Sequence, residues 1–181
     1  PPRSTPSNSS AASDVYKRQP ELGGGGLLDV GCYLLSLTSL LLGEPPDDIA
    51  SLAHIGETGV DEQAAMVLRY PEGQLALLTC AVRANTPHEA VLVGTEGRIR
   101  VHHPFWHPST LTLSAGGKEE IIEAPYEGNG YNYEAAEVMR CLREGRTESE
   151  VMPLDETLSI MKTLDAIRAQ WGLRYPMEPP V

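Results

Sequence analysis

A carboxylate and a phenol stand four residues apart, directly after a run of four glycines that begins at Gly23. The chain then continues as an almost wholly apolar helix to Leu42, and residues i and i+4 lie on the same face of a helix. Asp29 and Tyr33 should therefore point the same way. A carboxylate is costly on a buried helix unless something binds it, so the pair is a candidate site for acid–base chemistry. The alternative for Tyr33 is an amphipathic residue at the edge of a domain.

A phenol limits the chemistry that such a pair can perform. Its reference pKa is about 10, so proton transfer near neutral pH needs a cation that stabilises the phenolate. The chain has three lysines, Lys17, Lys118 and Lys162, and none has a clear reason in the sequence to approach Tyr33.

The glycine run before the helix permits two interpretations. Glycine costs roughly 1 kcal/mol in a helix interior, so the run serves either a structural turn or a close approach of the backbone to a ligand or another segment. It is not a dinucleotide-binding fingerprint, which follows a strand and spaces its glycines as G-x-G-x-x-G. No strand-like stretch precedes it, and the third glycine position of that fingerprint falls on Leu28.

The pattern G-G-G-x-L-x-D-x-G-x-Y resembles the start of the substrate domain in the glucose-fructose oxidoreductase, inositol dehydrogenase and rhizopine-catabolism (Gfo/Idh/MocA) family. Many members have His at the last position of the motif. This chain has Tyr33 there, as in the branch that includes glucose-fructose oxidoreductase, NADP-dependent xylose dehydrogenase and dimeric dihydrodiol dehydrogenase. The resemblance covers residues 20–181 and continues through further motifs: Glu57–Asp61, Gly94–Gly97, Trp106 with Pro108, Tyr133-Glu134 and Pro153–Glu156.

This resemblance implies a C-terminal fragment, inactive alone, of an NAD(P)-dependent oxidoreductase that oxidises a hydroxyl of a sugar or cyclic diol. Tyr33 would take the hydroxyl proton and Asp29 would position the substrate. NADP or NAD would be bound mainly by an N-terminal Rossmann domain that is missing from this chain and that also carries the catalytic lysine. The alternative is a non-catalytic module of the same fold that binds a carbohydrate or a partner.

Two further aromatic residues are candidates for binding the substrate. Trp106 lies in a proline-flanked loop, and exposed loop aromatics often contact ligands; the resemblance implies a wall of the substrate pocket, and the alternative is a plug at the end of the sheet. Tyr131 follows a glycine-rich loop and is a similar candidate. A metal site is not expected, because neighbouring strand residues point to opposite faces and no Cys or carboxylate stands near the loop histidines His102, His103 and His107.

Short strands separated by turns follow the first helix, and two further helices end the chain. We expect strands near residues 49–55, 62–70, 74–82, 89–93, 98–102, 110–113 and 120–123, with helices starting near Tyr133 and after Asp155. Close connections make neighbouring strands antiparallel. The predicted fold is α+β, an open, mostly antiparallel β-sheet with helices on one face. The resemblance also implies a homodimer, formed through the sheet face that the helices leave bare.

The composition of the chain limits the kinds of partner that it can bind and indicates the compartment in which it folds. The 181 residues carry a net charge of −11, which disfavours nucleic acid. The most apolar stretch, Leu27 to Leu42, is too short and too polar for a membrane span. Three widely spaced cysteines indicate a reduced, cytoplasmic chain. Residues 1–19 are rich in Ser and Pro and are predicted to be disordered. They are also predicted to be non-native, because Asp14–Gln19 resembles translated sequencing adaptor. The resemblance implies that residues 20–181 form the substrate-binding and dimerisation domain.

Overall fold

The computed structural model describes residues 17–179, which fall into two compact units. Unit 1 contains the chain as far as Thr86 together with the part that starts at Asp155, and unit 2 contains Pro87–Leu154. The sequence predicts one domain over 20–181, and nothing in its composition marks this division. Most of the segment predicted to be disordered, residues 1–16, lies outside the described residues.

The first helical segment of unit 1 is continuous but not uniform. A short 3-10 turn at Pro20–Leu22 leads into the glycines, and a π turn at Leu27–Gly31 precedes α1 (Cys32–Leu42). Gly43 adopts φ 73° and donates its N–H to the Ser39 carbonyl at 2.8 Å, which ends the helix as predicted. The predicted helix from Leu27 to Leu42 is thus confirmed, with its first turn wider than an α-helix.

Three antiparallel strands form the sheet of unit 1 in the order β1 (Asp48–Ile55), β2 (Asp61–Arg69) and β3 (Leu75–Ala81). From Glu62 onward burial alternates along β2, so that even-numbered residues face inward and odd-numbered residues face outward, while Asp61 at the start of the strand is buried as well. The turn between β2 and β3 closes through the Tyr70 N–H and the Gln74 carbonyl, with Gly73 at φ 88°.

One face of this sheet packs against the helices. α3 (Leu154–Gln170) contributes Ile160, Leu164 and Ile167 to a core that also holds Leu27 of the π turn and Leu35 of α1. The sheet contributes its inward residues to the same core: Ala64, Met66, Leu68 and Cys80. Helices on one face, as predicted, leave the opposite face to solvent. Asp155 lies in the first turn of α3 rather than at the predicted cap, since the helix begins at Leu154.

Unit 2 contains four antiparallel strands and one helix. The strands β4 (Ala90–Val93), β5 (Gly97–Val101), β6 (Thr110–Ala115) and β7 (Lys118–Glu123) pair in sequence order. α2 (Tyr131–Arg143) follows them, and Gly145 at φ 68° stands just past its end, as predicted. All seven predicted strands are present, and the α+β class with antiparallel pairing is confirmed, but the strands bond as two sheets of three and four.

The apolar residues that recur at helical spacing along α2 remain exposed. Val138, Met139 and Leu142 lie at the surface, and Cys141 is the one buried residue of the helix. The i, i+3, i+4 pattern therefore predicts the helix correctly without predicting what covers it.

One helical stretch within residues 17–179, Pro20–Leu42, is long and apolar enough to cross a bilayer by length and composition, with a mean hydropathy of 1.6 over its best window. Such a test is also passed by core helices. Here Leu27 and Leu35 of this stretch lie in the core between the sheet and α3, which accounts for its apolar composition.

Candidate active site at the first helical turn

The glycine run folds back on the residues just before it. The Gly25 N–H donates to the Lys17 carbonyl at 2.8 Å, and the Gly24 N–H donates to the Gln19 carbonyl at 3.0 Å. A Cβ at Gly24 would stand 2.6 Å from the Lys17 carbonyl oxygen, so a side chain cannot be accommodated there. Residues 17–19 were predicted to belong to the disordered segment, yet these hydrogen bonds make them part of the turn.

A buried carboxylate occupies the start of the helix. Asp61, the first residue of β2, is wholly buried, and its Oδ2 accepts the Leu27 N–H at 2.7 Å. A Cβ at Gly25, which adopts φ 123°, would collide with Asp61 Oδ1, and one at Gly26 would stand 3.2 Å from Oδ2. Of the two interpretations of the glycine run, the structure shows close approach, and the approaching group is a segment of the same chain.

Burial raises the pKa of Asp61 to about 6, although the Leu27 N–H and neighbouring backbone N–H groups work in the opposite direction. Its second oxygen, Oδ1, is buried without a hydrogen-bond partner among the described residues. Tyr175, whose O–H donates to the Gly24 carbonyl at 2.8 Å, closes the turn from the C-terminal segment. Burial, and secondarily the charge of Asp61, raises the pKa of Tyr175 to about 12.

Asp29 lies in the π turn and forms an ion pair with Lys17 at 2.8 Å between Nζ and Oδ2. Both side chains are about one-third exposed. The sequence gave no reason for any lysine to approach this site, and the structure brings Lys17 there through the fold-back of the glycine turn. The sequence analysis therefore did not identify Asp61 or Lys17 as residues of this site. The signals in the sequence that could have identified Asp61 were its apolar neighbour Val60 and its place in the motif Glu57–Asp61.

Tyr33 stands in the first turn of α1, four residues after Asp29 in one continuous helical segment, and 49% of it is exposed. It is therefore outside the core of unit 1. The intervening π turn is of the kind that often marks functional sites, because it offsets side chains from regular α-helical register. A phenol and a carboxylate, both accessible to a ligand, are what proton transfer and hydroxyl recognition require.

The cysteines near this helix are not nucleophiles. Burial raises the pKa of Cys80 to about 12 and also raises the pKa of Cys32, so both thiols stay protonated near neutral pH. All three cysteines are free, with Cys80 and Cys141 buried.

Trp106 and Tyr131 both belong to unit 2. Trp106 is 39% exposed and is surrounded by rings, with centroids 5.0 Å from His88, 5.3 Å from Phe105 and 6.0 Å from His107. Phe105, not Trp106, is the buried aromatic of this loop. Tyr131 is the first residue of α2, is 69% exposed, and donates its N–H to Asn129 Oδ1 at 3.2 Å.

The loop histidines each have a different neighbour. His102 Nε2 lies 2.8 Å from Thr112 Oγ1, His103 Nδ1 lies 3.3 Å from the Pro87 carbonyl, and His107 Nδ1 lies 2.9 Å from the Tyr126 hydroxyl. Within residues 17–179 no three His, Cys, Asp or Glu side chains are grouped so that they could hold a metal ion.

Comparison with known proteins identifies relatives along most of the chain. A family model described as the GFO/IDH/MocA C-terminal domain matches residues 3–100. Trans-1,2-dihydrobenzene-1,2-diol dehydrogenase of Xenopus tropicalis is 33% identical over 176 residues, which cover 90% of this chain and 53% of that protein. The mouse protein of the same name is 35% identical over 164 residues, which cover 86% and 48%. The chain thus spans about half the length of the curated relatives it matches.

Solved structures show the same fold. An aldose-aldose oxidoreductase from Caulobacter crescentus, complexed with glycerol, superposes with a TM-score of 0.75 at 22% identity and covers 87% of this chain and 49% of its own. A 3-ketoreductase from Actinomadura kijaniata, in complex with NADP and TDP-benzene, superposes with a TM-score of 0.72 at 20% identity and covers 84% and 48%.

The family match extends over more than half of the chain, begins before the glycine turn and passes through α1 and the whole sheet of unit 1. It confirms the resemblance inferred from the motif around Asp29 and Tyr33. The chain belongs to the GFO/IDH/MocA family and carries its C-terminal domain.

Proposed function

We propose that this chain is the substrate-binding half of an NAD(P)-dependent oxidoreductase that oxidises a hydroxyl of a sugar or cyclic diol, and that it is inactive alone. The observation that carries the proposal is the accessible pair of Asp29 and Tyr33 on the helical segment that the family motif defines. The names of the relatives, diol dehydrogenases and an aldose oxidoreductase, support the substrate class.

In the proposed reaction Tyr33 accepts the proton of the substrate hydroxyl on its phenolate oxygen, while the hydrogen on the same carbon leaves as hydride. The product is a carbonyl compound, so one C–H and one O–H bond break and one C=O bond forms. NAD or NADP would supply the acceptor for the hydride. Asp29 would orient the substrate through its other hydroxyls, and a cation is required near Tyr33 to favour the phenolate.

The described residues support a cofactor site outside this chain. A helix N-terminus preceded by glycines can cradle phosphates through free backbone N–H groups. Here the Asp61 carboxylate already accepts the Leu27 N–H, and its negative charge would repel a phosphate at that position. NAD or NADP would therefore be bound mainly by a preceding nucleotide-binding domain, which would also bring the catalytic lysine.

We assign Trp106 and Tyr131 to substrate binding. Both are exposed and both stand on loops or at a helix start, where their rings can contact a ligand. Trp106 is held at its edges by imidazole rings, and the buried position in the loop is filled by Phe105, which favours a ligand-contacting role over a plug.

A homodimer through the bare face of the unit 1 sheet completes the proposal. The outward residues of the three strands form an apolar patch, with Leu52 exposed by 81% and Leu77 by 77%. Cross-strand pairing places Val67 beside Leu77 and Ala65 beside Leu52. Patches of this kind on a sheet favour a symmetric partner.

The acidic charge and the free cysteines support a cytoplasmic protein that binds neither nucleic acid nor membrane.

The proposed function is tested by kinetics on the chain expressed with a preceding nucleotide-binding domain. Tyr33→Phe should reduce turnover by roughly 10²- to 10⁴-fold, the scale of general acid–base catalysis, and should leave substrate binding intact because the ring remains. Tyr133→Phe is the matched control, since Tyr133 is similarly exposed at 52% and lies on α2.

An unchanged turnover number in Tyr33→Phe would remove Tyr33 from the mechanism. If the intact gene encoded no nucleotide-binding domain, and the chain bound a sugar without oxidising it, the non-catalytic module would be the correct interpretation.

A further inference from the structure

The glycine run and Asp61 form one structural device that neither the proposed reaction nor the family match explains. Asp61 is wholly buried and leads β2, whereas the pair of Asp29 and Tyr33 lies on the helical segment that Asp61 contacts. We propose that Asp61 is a positioning residue that fixes the first turn of this segment and thereby the placement of Asp29 and Tyr33. The inference rests on the proposed function for its catalytic consequence.

The contact is specific to the first turn. Asp61 Oδ2 accepts the N–H of Leu27, which is the first residue of the π turn, and the Asp29 N–H donates to the Gly25 carbonyl at 3.1 Å. The start of a helix leaves its first N–H groups without intrahelical partners, and a carboxylate there favours both the hydrogen bond and the helix dipole. The position of Asp29 within the turn therefore depends on two hydrogen bonds, the one from Leu27 to Asp61 and its own to Gly25.

The glycines make room for this carboxylate. A Cβ at Gly25 would collide with Asp61 Oδ1, and a Cβ at Gly26 would also stand 3.5 Å from the Cα of Ala81 on β3. Ion pairing then adds a second restraint, because Lys17, whose carbonyl accepts the Gly25 N–H, holds the Asp29 carboxylate. Three contacts therefore hold the same turn: the backbone hydrogen bond to Lys17, the buried carboxylate of Asp61 and the ion pair of Lys17 with Asp29.

Burying a carboxylate with one oxygen unpaired is costly, so its presence calls for a role that a neutral residue would not fill. An apolar core residue at position 61 would fill the space at lower cost but would leave the Leu27 N–H without its acceptor. The interaction is thus one that stability alone does not favour, which is what a positioning role predicts.

The first test uses the chain itself and needs no substrate. The amide resonance of Leu27 should titrate with a midpoint of about pH 6, the pKa of Asp61, in NMR spectra of the 181-residue chain. The two other titratable side chains that the charge of Asp61 reaches, Cys80 on β3 and Tyr175 in the C-terminal segment, have pKa values of about 12 and cannot produce this midpoint. Asp61→Asn should abolish the titration and shift the side-chain resonances of Asp29 and Tyr33. A Leu27 amide that does not titrate in the native chain would overturn the inference.

The second test measures turnover in the active protein that contains the nucleotide-binding domain. Asp61→Ala, which removes the acceptor of the Leu27 N–H, should lower kcat by about 10²-fold, the cost of misplacing a catalytic group by about 1 Å, with KM changed much less. Leu68→Ala is the matched control: Leu68 is equally buried on β2, so the variant should lower the melting temperature and retain kcat.

Equal loss of kcat in Asp61→Ala and Leu68→Ala would reduce Asp61 to a structural residue and overturn the inference. A failure of the proposed function has a different signature, since Tyr33→Phe would then retain full turnover while the Leu27 amide still titrated with Asp61.

Discussion

At the scale of single residues, the site depends on groups that differ in burial rather than in type. Asp29 and Asp61 are both carboxylates near the start of one helical segment. Asp29 is partly exposed and paired with Lys17, whereas Asp61 is wholly buried with one oxygen unpaired. The exposed carboxylate can meet a substrate, and the buried one can act only on the protein. Sequence reasoning identified the first because it stands in an apolar helix, and missed the second because an Asp at the start of a strand is unremarkable.

The buried carboxylate predicts an unusual dependence of stability on pH. Burial raises the folded-state pKa of Asp61 from 3.8 to about 6, so the folded state binds more protons than the unfolded state between these values. The contribution of Asp61 to the free energy of unfolding is therefore most favourable below about pH 4, where the carboxyl is protonated, and is lost as the pH rises through about 6. A difference of this size corresponds to about 3 kcal/mol in the free energy of unfolding.

Urea denaturation of the native chain and of Asp61→Asn between pH 4 and pH 7 measures this contribution. The native chain should lose stability relative to the variant as the pH rises. Asp155→Asn, which removes an exposed carboxylate from α3, is the control and should follow the native chain. A constant difference between the native chain and Asp61→Asn across this range would contradict the prediction.

At the scale of elements, the helical segment that carries the site is shaped by what it packs against. A Cβ at Gly31, the last residue of the π turn, would stand 2.9 Å from Leu27 Cδ1 and 3.6 Å from Cys80 Sγ of β3. The tight contact is the one with Leu27 in the same turn, whereas 3.6 Å to the sheet is an ordinary van der Waals distance. The sequence predicts the helix from its apolar content, but the need for a residue without a side chain at position 31 depends on Leu27, which is wholly buried in the core.

Gly31→Ala should therefore destabilise the protein, even though alanine favours a helix over glycine by about 1 kcal/mol at an exposed site. We expect a loss of about 1–3 kcal/mol from overpacking, measured by thermal or urea unfolding. Ser36→Ala is the control on the same segment: its hydroxyl donates only to the Cys32 carbonyl, so the change in stability should stay within about 0.5 kcal/mol. A stabilised Gly31→Ala would show that Leu27 can shift to make room for a side chain at position 31.

At the scale of the whole molecule, the proposed dimer and the proposed cofactor site both concern surfaces that this chain presents to others. The apolar face of the unit 1 sheet lies opposite the face that packs against the helices, and its exposed leucines come from β1 and β3. The proposed nucleotide-binding domain would supply what the described residues lack, a glycine-rich phosphate cradle after a strand.

Charge on the sheet face should separate the dimer. Leu77→Lys places a cation within the apolar patch, on the edge strand β3, so sedimentation velocity at micromolar concentration should show a monomer, whereas the native chain should sediment as a dimer. Val93→Lys is the control, because Val93 is similarly exposed at 81% but lies on β4 of unit 2. A native chain that sediments as a monomer would refute the proposed interface.

The chain alone should not bind a dinucleotide. Asp61 fills the helix N-terminus that a phosphate would need, so calorimetry with NADP at micromolar concentration should detect no heat of binding. Micromolar affinity for NADP would mean that the glycine turn has a second role. The same titration with the nucleotide-binding domain present is the positive control.

The sequence by itself determined the local structure and the family. Alternation and turn residues predicted all seven strands, 3.6-residue periodicity predicted the helices, and the spacing of Asp29 and Tyr33 predicted the motif that the family match confirmed. These signals are readable because each depends on neighbours along the chain. The roles of Asp29, Tyr33, Trp106 and Tyr131 remain predictions.

Only the tertiary structure decided how distant segments meet. It brought Asp61 to the helix start across 34 residues, carried Lys17 to Asp29, and divided seven strands between two sheets. None of these follows from local pattern, because the burial of a carboxylate and the pairing of strands are set by contacts between segments that are far apart in sequence. The glycine run shows the difference most clearly. Its composition permits either a structural turn or a close approach, and only the fold shows that Asp61 is the group that approaches it.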